Sequence, residues 1–273
     1  MSLRVTSNLT LIFLLLVCLT AVNCGLDRIL SPESESDSVD FVYPKAISAL
    51  SSEELEKLQT EFDILNNNKI RSRLNKFGLT GRDFALRDNP GIVISEDKAI
   101  EIAINTLIKN SKFTNVQNSL ELEKCGYEIR YSNDEKTHWG VYFRRQNYHG
   151  LEVIGARIQV LLYGDGVFNI DGFWYKDINI PRIDKISADE AGELSVGRKI
   201  RWHSHSGEEL FIVDKSDIMD ITEKVIYPFK KENSIELHVC WKVPIWFESM
   251  IGWSLYVDTT TGDIISKTQH FIS

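Results

Sequence analysis

Ile154, Ala156, Ile158, Val160 and Leu162 are apolar at every second position, with Arg157 and Gln159 among the intervening residues, which is the period of a strand that buries one face. Gly164-Asp165-Gly166 follows, and its glycines admit the positive backbone dihedrals of a tight hairpin, so a second strand is expected to run back beside the first. Elsewhere the period lengthens to that of a helix. Ala99, Ile102, Ala103 and Leu107 form an apolar stripe behind Ser95, a capping residue followed by Glu96 and Asp97, whose carboxylates suit the positive end of a helix dipole. Ser51 with Glu54, and Ser187 with Glu190, have the spacing of reciprocal capping boxes. The helix from Ser51 is expected to carry Leu55, Leu58, Phe62 and Leu65, to weaken at Asn66-Asn67-Asn68, and to continue to about Phe77. The helix after Ser187 contains Gly192 and Gly197, each costing about 1 kcal/mol relative to Ala, so it depends on tertiary packing.

The two capped segments are related. Ile94-Ser-Glu-Asp-Lys-Ala-Ile-Glu-Ile-Ala103 recurs 92 residues later as Ile186-Ser-Ala-Asp-Glu-Ala-Gly-Glu-Leu-Ser195, each copy follows a proline (Pro90, Pro181), and each leads into strands that end at a glycine hairpin (Gly166, Gly262). Similarity at a fixed offset indicates a duplicated supersecondary unit. The fold class expected is therefore α+β, as two tandem units of helix packed on antiparallel sheet. The expected division is residues 1–23 as a signal peptide, 24–45 as an acidic flexible tether, 46–90 as an N-terminal helical segment, and 91–181 and 182–273 as the two units.

The signal peptide is read from residues 9–22, LTLIFLLLVCLTAV, an apolar run behind Arg4 that is shorter than the roughly 20 residues of a membrane span. The junction Ala21-Val22-Asn23-Cys24 admits two readings: ordinary signal cleavage around 22–24, or lipoprotein processing that makes Cys24 a lipidated N-terminus. The second is favoured and resembles a bacterial, in some respects spirochaetal, lipoprotein. Its polar acidic continuation Ser31-Pro-Glu-Ser-Glu-Ser-Asp-Ser38 would serve as the tether. With Cys18 and Cys24 so assigned, Cys125 and Cys240 remain; they are either one disulfide of an exported protein or two buried thiols. A formal charge of −8 argues against nucleic acid and leaves a lipid anchor as the only expected membrane contact.

Residues 142–172, YFRRQNYHGLEVIGARIQVLLYGDGVFNIDG, carry a more specific signature. An aromatic and basic strand with Gln146 and Tyr148 runs into Gly150, then Leu151-x-Val153-x-Gly155, then a glycine hairpin, with Arg144, Gly166 and Gly172 completing the set. This resembles the fungalysin/thermolysin propeptide motif. The ending of the second unit, Trp253-Ser-Leu-Tyr-Val-Asp258 followed by Thr261-Gly262-Asp263-Ile264-Ile265, resembles the last hairpin of a PepSY domain, which often follows that motif. The resemblance covers about a third of the chain. In such proenzymes the prodomain assists folding of a zinc protease and holds it inactive, yet this sequence contains no His-Glu-x-x-His.

Other chemistry is sparse. His203-Ser-His205 offers two imidazoles with no third ligand at a metal-binding spacing, and a polar helix end or loop explains them better. His138, His149, His238 and His270 are scattered, and no Gly-x-Ser-x-Gly, Walker-type loop or dinucleotide fingerprint occurs. Asp258 and Asp263 flank Thr259-Thr260-Thr261-Gly262, which reads as a hairpin turn in which Asp and Thr bond their own backbone rather than as a calcium loop. Among Trp241, Trp246, Phe247, Trp253 and Tyr256, strand alternation buries most and leaves Trp246, expected at a hairpin tip, as an interaction anchor. The resemblance implies a non-catalytic exported protein-binding module without metal or cofactor, acting in trans on a thermolysin-like metallopeptidase or another extracytoplasmic partner as inhibitor or folding assistant. A surface lipoprotein or adhesin that binds host or envelope components is the alternative; an unrecognised enzyme has least support.

Overall fold

The computed structural model describes residues 41–81, 92–125, 127–131, 138–204, 207–247 and 251–271. Cys24 and the apolar run 9–22 lie outside the described residues. Val42–Ser273 form one compact α+β unit.

β1 (Lys45–Ser48) leads into α1 (Ser52–Leu65), whose capping box closes as expected: Ser51 Oγ accepts from the Glu54 N–H at 3.3 Å, and the Glu54 carboxylate accepts from the Ser51 N–H at 2.9 Å. Leu55, Leu58 and Phe62 turn inward. The helix stops at the asparagine triplet and does not continue to Phe77. Asn66 turns its amide back onto Phe62 O and exchanges two side-chain hydrogen bonds with Asn110, at 2.7 and 3.1 Å, while Asn67 and Asn68 take left-handed backbone. The expected continuation is instead a small hairpin, β2 (Arg73–Leu74) and β3 (Thr80–Gly81), so 46–90 is not a purely helical segment.

α2 (Glu96–Lys109), capped by Ser95, buries Ala99, Ala103 and Leu107; the short α3 (Ser111–Thr114) and α4 (Ser119–Cys125) follow. These helices share a core with a four-stranded antiparallel sheet ordered β4 (Tyr127–Tyr131), β5 (His138–Arg144), β8 (Arg157–Tyr163), β9 (Gly166–Gly172). Phe143, Val141, Ile158, Val160, Leu162 and Ile170 face Phe62, Leu107 and Phe113 there.

Between β5 and β8 the chain leaves this sheet. β6 (Asn147–Tyr148) and β7 (Leu151–Val153) form a two-residue hairpin at His149-Gly150, both with positive φ (50° and 86°), the conformation that matches strand twist. β7 then pairs in parallel with a strand of a second sheet, Glu152 opposite Val225 and Val153 opposite Ile226. The alternating run from Ile154 to Leu162 is thus not one strand: it breaks at Gly155 (φ 71°), where the chain crosses from one sheet to the other.

The second unit opens with α5 (Ala188–Ser195), whose Ser187–Glu190 capping box also closes. Gly197, expected inside this helix, lies beyond its end with φ 75°. Gly192 is inside it, and a Cβ there would meet Ile221 Cδ1 at 3.1 Å, so the glycine permits close approach. A two-stranded ribbon, β10 (Lys199–Ser204) and β11 (Gly207–Ile212), precedes β12 (Glu223–Lys230), β13 (Ser234–Phe247), β14 (Ile251–Asp258) and β15 (Ile264–Phe271). The seven-stranded sheet is ordered β15-β14-β13-β12-β7-β6, with β1 also on β13. Helix followed by a four-strand antiparallel array therefore occurs twice. The sheet crosses the expected boundary at 181, drawing β6 and β7 from one side of it and β12 to β15 from the other.

Candidate functional site

Within the propeptide-like segment, Gln146 is buried and clips two chain segments together: its amide donates to Tyr175 O at 2.5 Å and its carbonyl accepts from the Tyr175 N–H at 2.9 Å. Val153 is fully buried, and its N–H donates to Gln146 O at 2.8 Å. Tyr148 packs edge-on against His149, with ring centroids 4.6 Å apart. A cleft of about 280 Å³ opens beside them, lined by Gln146, Tyr148, His149, Tyr175, Lys176 and Asp177 among others, and burial pushes the Tyr175 phenol up to about 12. Arg144 lies outside this cleft lining and pairs with Glu128 across β4 and β5 at 2.9 Å.

The glycines separate into kinds. Gly150 and Gly155 have positive φ and open space where a side chain would stand, whereas Gly172 (φ 95°) has Arg157 O against that position. Gly166 does not have the left-handed conformation expected of it. Gly164 (φ 58°) supplies it, and a Cβ on Gly166 would meet only Tyr163 O at 3.5 Å.

Sequence reasoning missed a second cluster. Strand parity puts Glu236, His238, Cys240, Lys242 and Trp246 on one face of β13, while Ile235, Leu237, Val239, Val243, Ile245 and Phe247 supply the apolar face. His238 stands between two carboxylates, Nδ1 at 2.6 Å from Asp258 Oδ2 and Nε2 at 3.2 Å from Glu236 Oε2. Tyr43, from the segment leading into β1, donates its hydroxyl to Asp258 Oδ2 at 2.9 Å and accepts from the Val239 N–H at 2.8 Å. Asp258 Oδ1 takes the N–H groups of Thr260 and Thr261, which is the self-bonded hairpin expected there. Burial by itself would raise the Asp258 carboxyl; hydrogen bonds from His238, the two threonine N–H groups and Tyr43 outweigh it and hold the group below its ordinary value. Burial and the adjacent Asp258 charge push the Cys240 thiol well up, which leaves it a poor nucleophile. Asp258 is 0 % exposed with both oxygens engaged, so the cluster is a joint that fastens the chain before β1 to the end of β14. The only signal for it in the sequence was the two-residue spacing of Glu236, His238 and Cys240, which takes meaning once Asp258 and Tyr43 are brought alongside.

The same face extends outward as a polar and aromatic surface. Tyr227 reaches Ser266 Oγ with its hydroxyl at 2.7 Å, lies tilted at 37° against Tyr256 with ring centroids 4.4 Å apart, and packs with the cluster that contains Cys240. Ser254 meets His270 Nε2 at 2.8 Å. Trp246 lies in β13 rather than at a tip, paired with Gly252; it is 36 % exposed and rests on that glycine, where a Cβ would stand 2.9 Å from its ring. On the other face Phe247 is buried in stacking with Phe211 at 3.8 Å, and Trp241 donates its indole N–H to Ile186 O.

Cys240 is a buried free thiol, in keeping with the second of the two readings given for it. His203 is in strand β10, not at a helix end, and His205 lies outside the described residues. Among the described residues no three His, Cys, Asp or Glu are grouped to hold a metal ion, and no helix is long and apolar enough to cross a membrane. A further cleft of about 470 Å³ runs between α5 and residues 215–221, with Asp189, Glu193, Lys215 and Asp220 around Val196 and Ile218.

No family model and no curated protein matches the chain. Among solved structures it is similar to the Bacillus megaterium YpeB C-terminal domain, at 11 % sequence identity over 83 % of this chain and 100 % of that one, with a TM-score of 0.29.

Proposed function

We propose that this chain is a non-catalytic, exported protein-binding module of PepSY and propeptide type that engages a thermolysin-like metallopeptidase in trans, slowing it or assisting its folding. The single observation that carries this reading is Trp246. A large aromatic side chain left partly open on a polar sheet face, seated on a glycine that holds its ring in place, has the make-up of an interface anchor. The joint at Asp258 on the same face supports it, since a sheet face whose own polar groups are paired offers a rigid surface at low ordering cost. Export with lipid on Cys24 belongs to the same proposal, the tether holding the module at an envelope surface.

The test is to add purified protein lacking residues 1–24 to a cognate thermolysin-like protease, during refolding and during turnover. A raised refolding yield or a slowed protease, with no hydrolysis by the chain itself, is expected. Stoichiometric zinc with hydrolytic activity would replace the reading by an enzyme.

A further inference from the structure

β10 and β11 hydrogen-bond to each other and to no other strand among the described residues, so no described strand takes up the outer edge of β10. The ribbon is not loose. Its inner face is fixed by Ile200, 1 % exposed, and by the stacking of Phe211 on Phe247. Its outer face carries cross-strand pairs of another kind, Lys199 opposite Ile212 and Arg201 opposite Leu210, with both aliphatics half exposed.

Charge distinguishes the two edges. On β10 the outward residues Lys199 and Arg201 stand two positions apart, so both project beside the same face of any strand added there. On β11 the corresponding face begins with Glu208. Arg201 and Glu208 are 3.5 Å apart and well exposed, a pairing too weak to saturate the guanidinium. A second copy is a poor occupant of the β10 edge, because antiparallel pairing of β10 with itself would bring Lys199 and Arg201 toward the same cations of the other copy. An extended segment with carboxylates at alternate positions meets both requirements: its main chain satisfies the edge and its side chains meet the cations.

We propose that the outer edge of β10 is a strand-addition site for an extended partner segment bearing acidic side chains at alternating positions. This deepens the protein-binding reading and rests on it, while using a face of the molecule other than the one that carries Trp246.

The experiment titrates the full chain against a short labelled peptide in which Glu alternates with Thr and Val, and against its Lys-for-Glu counterpart, with amide exchange followed across residues 199–212. The Glu peptide is expected to bind, to slow exchange in β10, and to weaken with added salt, while the Lys peptide does not bind. Lys199→Glu together with Arg201→Glu should weaken the Glu peptide about tenfold or more. The same double variant should acquire affinity for the Lys peptide, a gain that an unfolded ribbon cannot produce. Protection confined to other strands, or equal binding of both peptides, would overturn the edge assignment while leaving Trp246-dependent binding of a protease untouched.

Discussion

The two helix-and-sheet units cover their sheets by different means. In the first, α1 to α4 supply a continuous apolar roof, and Phe62, Leu107 and Phe113 meet Val141, Phe143, Ile158 and Leu162 in one core. In the second, α5 buries Ala191, Gly192 and Ser195 and shares the cover with Ile200, Phe211 and Ile218, and the sheet face away from it carries polar side chains, with Tyr227, Tyr256, His238 and Asp258 bonded across strands. The contrast shows why a repeat in sequence need not repeat a role. Each sheet keeps one face away from its helices: in the first it carries Arg144, Arg157 and Gln159, and in the second it carries Trp246 among paired polar side chains, which is the face proposed to meet a partner.

Truncation in the roofed core gives the largest expected effect. Phe143→Ala removes a fully buried ring and is expected to cost about 3–5 kcal/mol in denaturant unfolding. Asp258→Asn places a donor where His238 and Tyr43 need an acceptor and is expected to cost about 2–4 kcal/mol. This second loss depends on pH. The folded-state carboxyl is held below its unfolded value, so its contribution is complete above about pH 5 and is lost as pH falls through the folded value. Unfolding midpoints of wild type and Asp258→Asn should therefore converge in acid, and a difference that stays constant to low pH would remove Asp258 from the account.

Backbone positions sharpen the comparison on a smaller scale. Gly172→Ala combines a left-handed φ with a clash on Arg157 O and is expected to cost more than about 1 kcal/mol. Gly166→Val, which has neither burden, should stay within about 0.5 kcal/mol. Melting temperatures of the two variants decide it, and a Gly166 variant as damaged as the Gly172 one would relocate the turn.

Local chemistry was the legible part of the sequence. Ser51, Ser95 and Ser187 announced their helices because a cap and its partner lie three residues apart, and Gly150 announced a turn because backbone freedom is a property of one residue. What the sequence hid depends on residues far apart. The alternation from Ile154 to Leu162 persists through Gly155 although the strand changes sheets there, since Ile154, Ala156 and Ile158 are each covered by a different set of neighbours. The helix after Ser51 ends early because Asn66 finds Asn110, 44 positions away. His238 looked isolated because its partners Tyr43 and Asp258 are separated from it by 195 and 20 positions, and only the pairing of β1 and β14 with β13 assembles them.

The availability of the polar face is tested most directly at Trp246. Trp246→Ala should leave thermal stability within about 1 kcal/mol of wild type, because the side chain is partly exposed and packs on a glycine rather than in the core. Affinity for a cognate thermolysin-like protease, measured by titration with each protein, should fall by about tenfold or more. Unchanged affinity with unchanged stability would contradict the assignment of this face as the binding surface.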